Sequence, residues 1–170
     1  MGDRLSTLAD VVSERVLLDA VEASRRLTEL GIPHALIGGL AVGVHGYPRT
    51  TKDVDFLVGA EAFERSSPVL AFRPDLRDLV RVGVVDLMPL PKGLDELESQ
   101  LSLPMGAEIP VIGVEGLILL KLLADRPQDR ADVGQLIAVG LDIGAVTAYL
   151  RRAAPQLVAA FAEIVAEGDP

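Results

Sequence analysis

The chain has 170 residues, the size of one compact domain that buries most of a single core. Apolar residues make up 49% and charged residues 24%, the balance of a globular protein rather than a disordered or fibrous one. The formal charge of −9, with a pI near 4.7, repels phosphate backbones and excludes broad contact with duplex nucleic acid as a main role.

Cysteine is absent, which removes disulfides, thiolate metal sites and cysteine nucleophiles and suits a reducing compartment. Residues 1–14 carry charges throughout without the apolar centre of a signal peptide, and no apolar run reaches the ~18 residues that span a bilayer. These features predict a cytoplasmic protein with no membrane partner.

Apolar residues at three- and four-residue steps predict one amphipathic helix over 5–30, closed by Gly31. A short buried strand over 33–37 turns at Gly38-Gly39 into a brief helix over 40–44. Gly46, Pro48 and the polar residues 49–52 read as a loop, and 53–58 as a strand that begins with two carboxylates. A helix interrupted by Ser66, Ser67 and Pro68 is predicted within 59–70, followed by a charged turn over 75–78. The valine-rich stretch 79–88 predicts one bent strand, or two broken at Gly83, with Asp86 near the end.

A polar helix over 94–101 and a short strand over 109–112 lead to a leucine-rich helix over 114–124 that is buried on most sides. Two or three helices fill 128–167. The chain therefore reads as one α/β (α+β) domain, a small mixed sheet flanked by helices over about 30–113 with a helical cap over about 114–170.

Side chains two apart in a strand share a face, so Asp53 and Asp55 are predicted to project into one small volume. Carboxylates held that close repel unless a cation lies between them, and hard oxygen donors favour Mg²⁺ or Mn²⁺. Mg²⁺ commonly binds one or two carboxylates together with substrate phosphates, which points to phosphate chemistry. Upstream, Gly38-Gly39 lies between a predicted strand and a predicted helix, where backbone N–H groups can approach a phosphate without side chains in the way. His34 and His45 have no spaced partner and read as packing or hydrogen-bonding residues.

Taken together, Gly38-Gly39 and, a dozen or so residues later, Asp53-Val54-Asp55-Phe56 resemble the signature of the nucleotidyltransferase superfamily. The longer set Ile37-Gly38-Gly39-Leu40-Ala41, His45-Gly46, Arg49-Thr50-Thr51 and Lys52-Asp53-Val54-Asp55-Phe56 is similar to bacterial minimal nucleotidyltransferases, including AbiEii-type toxins of type IV toxin-antitoxin systems. The resemblance covers roughly residues 30–135 and departs at Gly39, where many of those toxins carry serine.

The resemblance implies a nucleotidyltransferase fold and a third carboxylate on a neighbouring strand, for which Val84-Val85-Asp86-Leu87-Met88 offers Asp86. It also implies a site lysine and a later aspartate. Lys121, within Leu119-Leu120-Lys121-Leu122-Leu123-Ala124, and Asp132, within Arg126-Pro127-Gln128-Asp129-Arg130-Ala131-Asp132-Val133, fill those places.

In the implied reaction a nucleoside triphosphate such as ATP lies over Gly38 and Gly39, and metal at Asp53 and Asp55 offsets charge on the α-phosphate and pyrophosphate. Asp86 either takes the acceptor hydroxyl's proton or joins the metal set. Arg49, Lys52 and Lys121 are the candidate cations for the pyrophosphate, Lys121 above the others because a lysine in an apolar helix needs a partner. The acceptor is tRNA, a protein or a small molecule. Transfer to tRNA by an AbiEii-like toxin with a cognate antitoxin, and modification of a cationic aminoglycoside, are both consistent with the resemblance. A nucleotide-binding or antitoxin-like module of the same fold that acts by binding a partner is the alternative from another class.

Overall fold

The computed structural model describes residues 3–64, 70–81, 84–106 and 108–168. The expected single first helix is instead two. Helix α1 covers Asp3–Ser6, a run of turns follows, and α2 covers Glu14–Glu29. Leu5, Leu8 and Val12 are still buried in one cluster with Val16 and Leu17 of α2, so the apolar spacing persists across the break. Leu8 also fills the space beside Gly43, where a Cβ would stand 2.8 Å from Leu8 Cδ2. Periodicity reports which side chains are buried, and the backbone between them can satisfy it without staying helical.

Helix α2 ends as expected. Gly31 has a φ of 69°, and bonds from Gly31 N to Thr28 O and from Ile32 N to Leu27 O close a Schellman motif.

Strand β1 (His34–Ile37) runs directly into α3 (Gly38–Val44), which begins at the Gly-Gly pair itself, two residues before the predicted start. After a loop comes β2 (Val54–Val58), with Asp53 just ahead of the strand, outside it. The helix expected within 59–70 is absent over 60–64. A short 3₁₀ turn (Ala60–Ala62) leads to a bridge between Phe63 and Phe72, whose rings stack 4.9 Å apart. Residues 65–69, including Ser66, Ser67 and Pro68, lie outside the described residues.

The predicted charged turn at 75–78 is a 3₁₀ turn (Pro74–Leu76) that runs into α4 (Arg77–Arg81). Leu79 is therefore helical, and among its described residues the valine-rich stretch supplies one strand, β3 (Val85–Pro89). The expected break at Gly83 lies outside the described residues. Pro74 at the first position favours a helical start, which outweighs the local reading of a turn.

The sheet order is β1-β2-β3, with β1 antiparallel and β3 parallel to β2. The expected polar helix contracts to α5 (Asp95–Glu98), and the expected strand at 109–112 contracts to a bridge between Leu36 and Val111. Pro110 limits that strand because it has no N–H, although its carbonyl accepts from Leu36 N at 2.7 Å.

Strand alternation sends the two faces of the sheet to different cores. Leu36, Val54, Phe56, Val58, Val85 and Leu87 pack with α1 and α2, while Ala35, Ile37 and Leu57 pack with the C-terminal helices. Each fully buried leucine or phenylalanine in these clusters contributes roughly 1.5–3 kcal/mol.

Helix α6 (Val114–Ala124) has the predicted bounds and is buried from Gly116 to Leu122 because it lies between α3, α7 (Pro127–Ala138) and α8 (Ile143–Ala153). Helix α9 (Val158–Glu167) closes this layer through Phe161 and Ile164. The result is a mixed α/β fold, a small three-stranded sheet between helices. Among the described residues no helix is long and apolar enough to cross a membrane.

Candidate active site

The sheet register brings the acidic residues together. Asp55 pairs with Ile37 of β1 on one side and with Asp86 of β3 on the other. Because β1 ends at Ile37, the next residue, Gly38, lies against the Asp55 side chain. A Cβ at residue 38 would stand 2.7 Å from Asp55 Cγ and closer still to Oδ2, and the φ of 66° there is one that L side chains rarely adopt. The first glycine thus lets a carboxylate and a backbone share one volume.

Asp55 is partly buried, whereas Asp53 and Asp86 are exposed. Burial pushes the Asp55 carboxyl up, the charges of Asp86 and Asp53 push it further, and Lys121 and Arg126 oppose them. Three carboxylates therefore act on one another across β2 and β3.

No three His, Asp or Glu side chains among the described residues form a preassembled metal cage. The donor set still suits a hard divalent cation. It is all oxygen, its members repel, and Mg²⁺ held jointly with phosphates needs only one or two carboxylates.

A second charged cluster stands beside the first. Lys121 is only 6% exposed, and its Nζ donates to Asp129 Oδ1 at 3.0 Å and to Asp132 Oδ2 at 2.7 Å. Arg49 donates to the same Asp132 through Nε at 2.8 Å and Nη2 at 2.9 Å, and Gln128 adds a bond at 3.0 Å. Arg126 Nε donates to Asp129 Oδ2 at 2.6 Å. Burial pushes the Asp129 and Asp132 carboxyls up, but hydrogen bonds outweigh it and hold both below the usual carboxylate range. The donors are Arg126 and Lys121 for Asp129, and Arg49, Lys121 and Gln128 for Asp132.

Gly39 connects the two clusters. A Cβ there would meet Thr51 Oγ1 at 2.9 Å and Arg49 Nη2 at 3.3 Å, so the loop side chains occupy the space a serine at 39 would need. The sequence-predicted residues Gly38, Gly39, Asp53, Asp55 and Asp86 thus gather at one end of the sheet. Arg49, Lys121 and Asp132 form the network next to them. Lys52 is exposed in the loop and has no ion pair among the described residues.

Sequence reasoning selected neither Asp129, Arg126 nor Gln128 for the site. The available signal was the three-residue spacing of Arg126, Asp129 and Asp132, which puts them on one face of a helical turn just after a lysine in an apolar helix. His34 is a buried packing residue as expected: its Nε2 accepts from the Ser24 hydroxyl at 2.7 Å and its Nδ1 donates to Ile32 O at 2.9 Å. His45 donates from Nε2 to Ile112 O at 2.7 Å.

No protein-family model and no curated protein matches the chain.

Proposed function

We propose that the chain is a metal-dependent nucleotidyltransferase of the nucleotidyltransferase fold, which moves a nucleoside monophosphate from a nucleoside triphosphate to an acceptor hydroxyl. The observation that carries this reading is the register of Asp55 with Asp86, with Gly38 pressed against the Asp55 carboxyl.

Asp53 and Asp55 would hold Mg²⁺ or Mn²⁺, which when bound compensates the negative charge of the triphosphate. Gly38 and Gly39, lacking side chains, let the Asp55 carboxyl, Thr51 and Arg49 close in on the turn where the phosphates would lie. The acceptor oxygen forms a bond to the α-phosphorus, and the bond from that phosphorus to the bridging oxygen breaks as pyrophosphate leaves. The acceptor proton passes to Asp86, the solvent-open carboxylate opposite Asp55. Lys121, fixed by Asp129 and Asp132, adds positive field on the side of Asp55.

The net charge of −9 favours a small-molecule or protein acceptor over RNA. Purified protein, each α-labelled nucleoside triphosphate, Mg²⁺ or Mn²⁺ and a cell extract are incubated beside an Asp53→Ala, Asp55→Ala variant. Label entering an RNA, protein or small-molecule fraction with the wild type alone supports the reading and identifies the acceptor class. Absence of transfer with every nucleotide favours a binding or antitoxin-like module instead.

A further inference from the structure

An unbroken run of contacts joins the Gly-Gly turn to the start of α7. Arg49 reaches the space beside Gly39 and grips Asp132, Asp132 and Asp129 share the Lys121 ammonium, and Asp129 holds Arg126. Within this run three cations alternate with two carboxylates, and Arg126 stands at its end.

The cations differ in what they can still offer. Lys121 is buried between two carboxylates, and Arg49 has Nε and Nη2 on Asp132 and Nη1 on the Thr50 carbonyl at 3.3 Å. Arg126 has a side chain 75% exposed and touches Asp129 through Nε at 2.6 Å and, more loosely, Nη2 at 3.4 Å. Its Nη1 has no partner among the described residues.

The exposed Arg126 guanidinium is thus the member of the run that can still meet a ligand. Lys52, also exposed, has no carboxylate to fix it, whereas Asp129 anchors the Arg126 stem and leaves a planar N–H edge for an oxyanion.

We propose that Arg126, anchored by Asp129, binds the outer phosphates of a polyphosphate ligand. That the ligand is a nucleoside triphosphate rests on the nucleotidyltransferase reading. One charge-assisted contact on an exposed rim predicts a loss of about tenfold or more in affinity for ligands that reach it, and little for those that do not.

The test is isothermal titration of the full chain in Mg²⁺ with inorganic tripolyphosphate, a non-hydrolysable nucleoside triphosphate and the matching monophosphate. Wild type is compared with Arg126→Ala, Arg126→Gln and Arg126→Lys, each first checked for a thermal midpoint near that of wild type. The expected result is that Arg126→Ala and Arg126→Gln weaken the first two ligands about tenfold or more and the monophosphate less than about twofold, with partial recovery in Arg126→Lys. Wild-type affinity for both polyphosphates in the Ala and Gln variants would overturn the proposal and leave the transferase reading standing. Tripolyphosphate binding through Arg126 without nucleotide binding would uphold the anchor and remove the transferase reading. Failure of the wild type to bind either would overturn both.

Discussion

The Asp55 carboxyl rests against the α-carbon of Gly38, so close that any side chain at residue 38 would collide with it. Gly38 and Gly31 share nearly the same left-handed backbone, with φ of 66° and 69°, but a Cβ at Gly31 would meet nothing within 4 Å. Gly31→Ala and Gly38→Ala should therefore each lose about 1–2 kcal/mol from left-handed backbone strain. Only Gly38→Ala should lose more through the collision and lose nucleotide transfer. Thermal unfolding and label transfer on both variants separate the two effects.

Asp55→Asn should be more heat-stable than wild type at pH 7 while inactive. Burial and the charges of Asp86 and Asp53 raise the Asp55 carboxyl above its ordinary value of 3.8, so ionising it penalises the folded state. That penalty grows as pH rises from 3.8 through the raised value, and the advantage of asparagine should shrink as pH returns toward 3.8. Mg²⁺ should raise the wild-type midpoint more than that of the variant. Circular dichroism melts from about pH 4 to about pH 8, with and without Mg²⁺, make the comparison.

Lys121→Met should cost about 3–5 kcal/mol in urea unfolding at pH 7, because it leaves Asp129 and Asp132 buried with less compensation. Both carboxyls lie below their ordinary value of 3.8 in the fold. Their stabilisation is fully present above 3.8 and is lost as pH falls through the lowered values, so wild-type stability should decline steeply there. The variant, having already lost part of that stabilisation, should decline less.

His34 should make folding weaken in mild acid. Burial holds its imidazole below its ordinary value of 6.5, and the bond to Ile32 O only partly offsets this. The contribution is present above 6.5 and is lost as pH falls from there through the lowered folded value. Replacing His34 by glutamine should flatten the stability profile between about pH 7 and pH 5, as read by urea midpoints.

What was legible in the sequence was local. The alternating run 53–58, the Gly-Gly turn and the leucine-rich helix at 114–124 each carry their own signal, and the strands and α6 form at or within a residue or two of those positions. The first helix was misread because Leu5, Leu8 and Val12 keep helical spacing while the backbone between them turns. Over the described residues 59–64 and 74–81 the expected helix, turn and strand start give way to elements one or two turns long, which tertiary contacts such as the Phe63–Phe72 stack decide, while the strand that carries Asp86 forms as β3.

Site legibility follows the same division. Asp53 and Asp55 are neighbours in sequence, but the register that sets Asp86 opposite Asp55 joins residues 31 positions apart, a relationship no local pattern encodes. A carboxylate near a helix start commonly caps or decorates it, and Asp129 by itself reads that way. Here its burial and its bond to Lys121 give it another role.

The most direct test of the central claim is to offer the purified protein one nucleoside triphosphate labelled at the α-phosphate and, in parallel, at the γ-phosphate. The predicted result is transfer of the α-label to an acceptor, release of the γ-label as pyrophosphate, dependence on Mg²⁺ or Mn²⁺, and loss of both in the Asp53→Ala, Asp55→Ala variant. Transfer of the γ-label, or α-label transfer that survives in that variant, would contradict it.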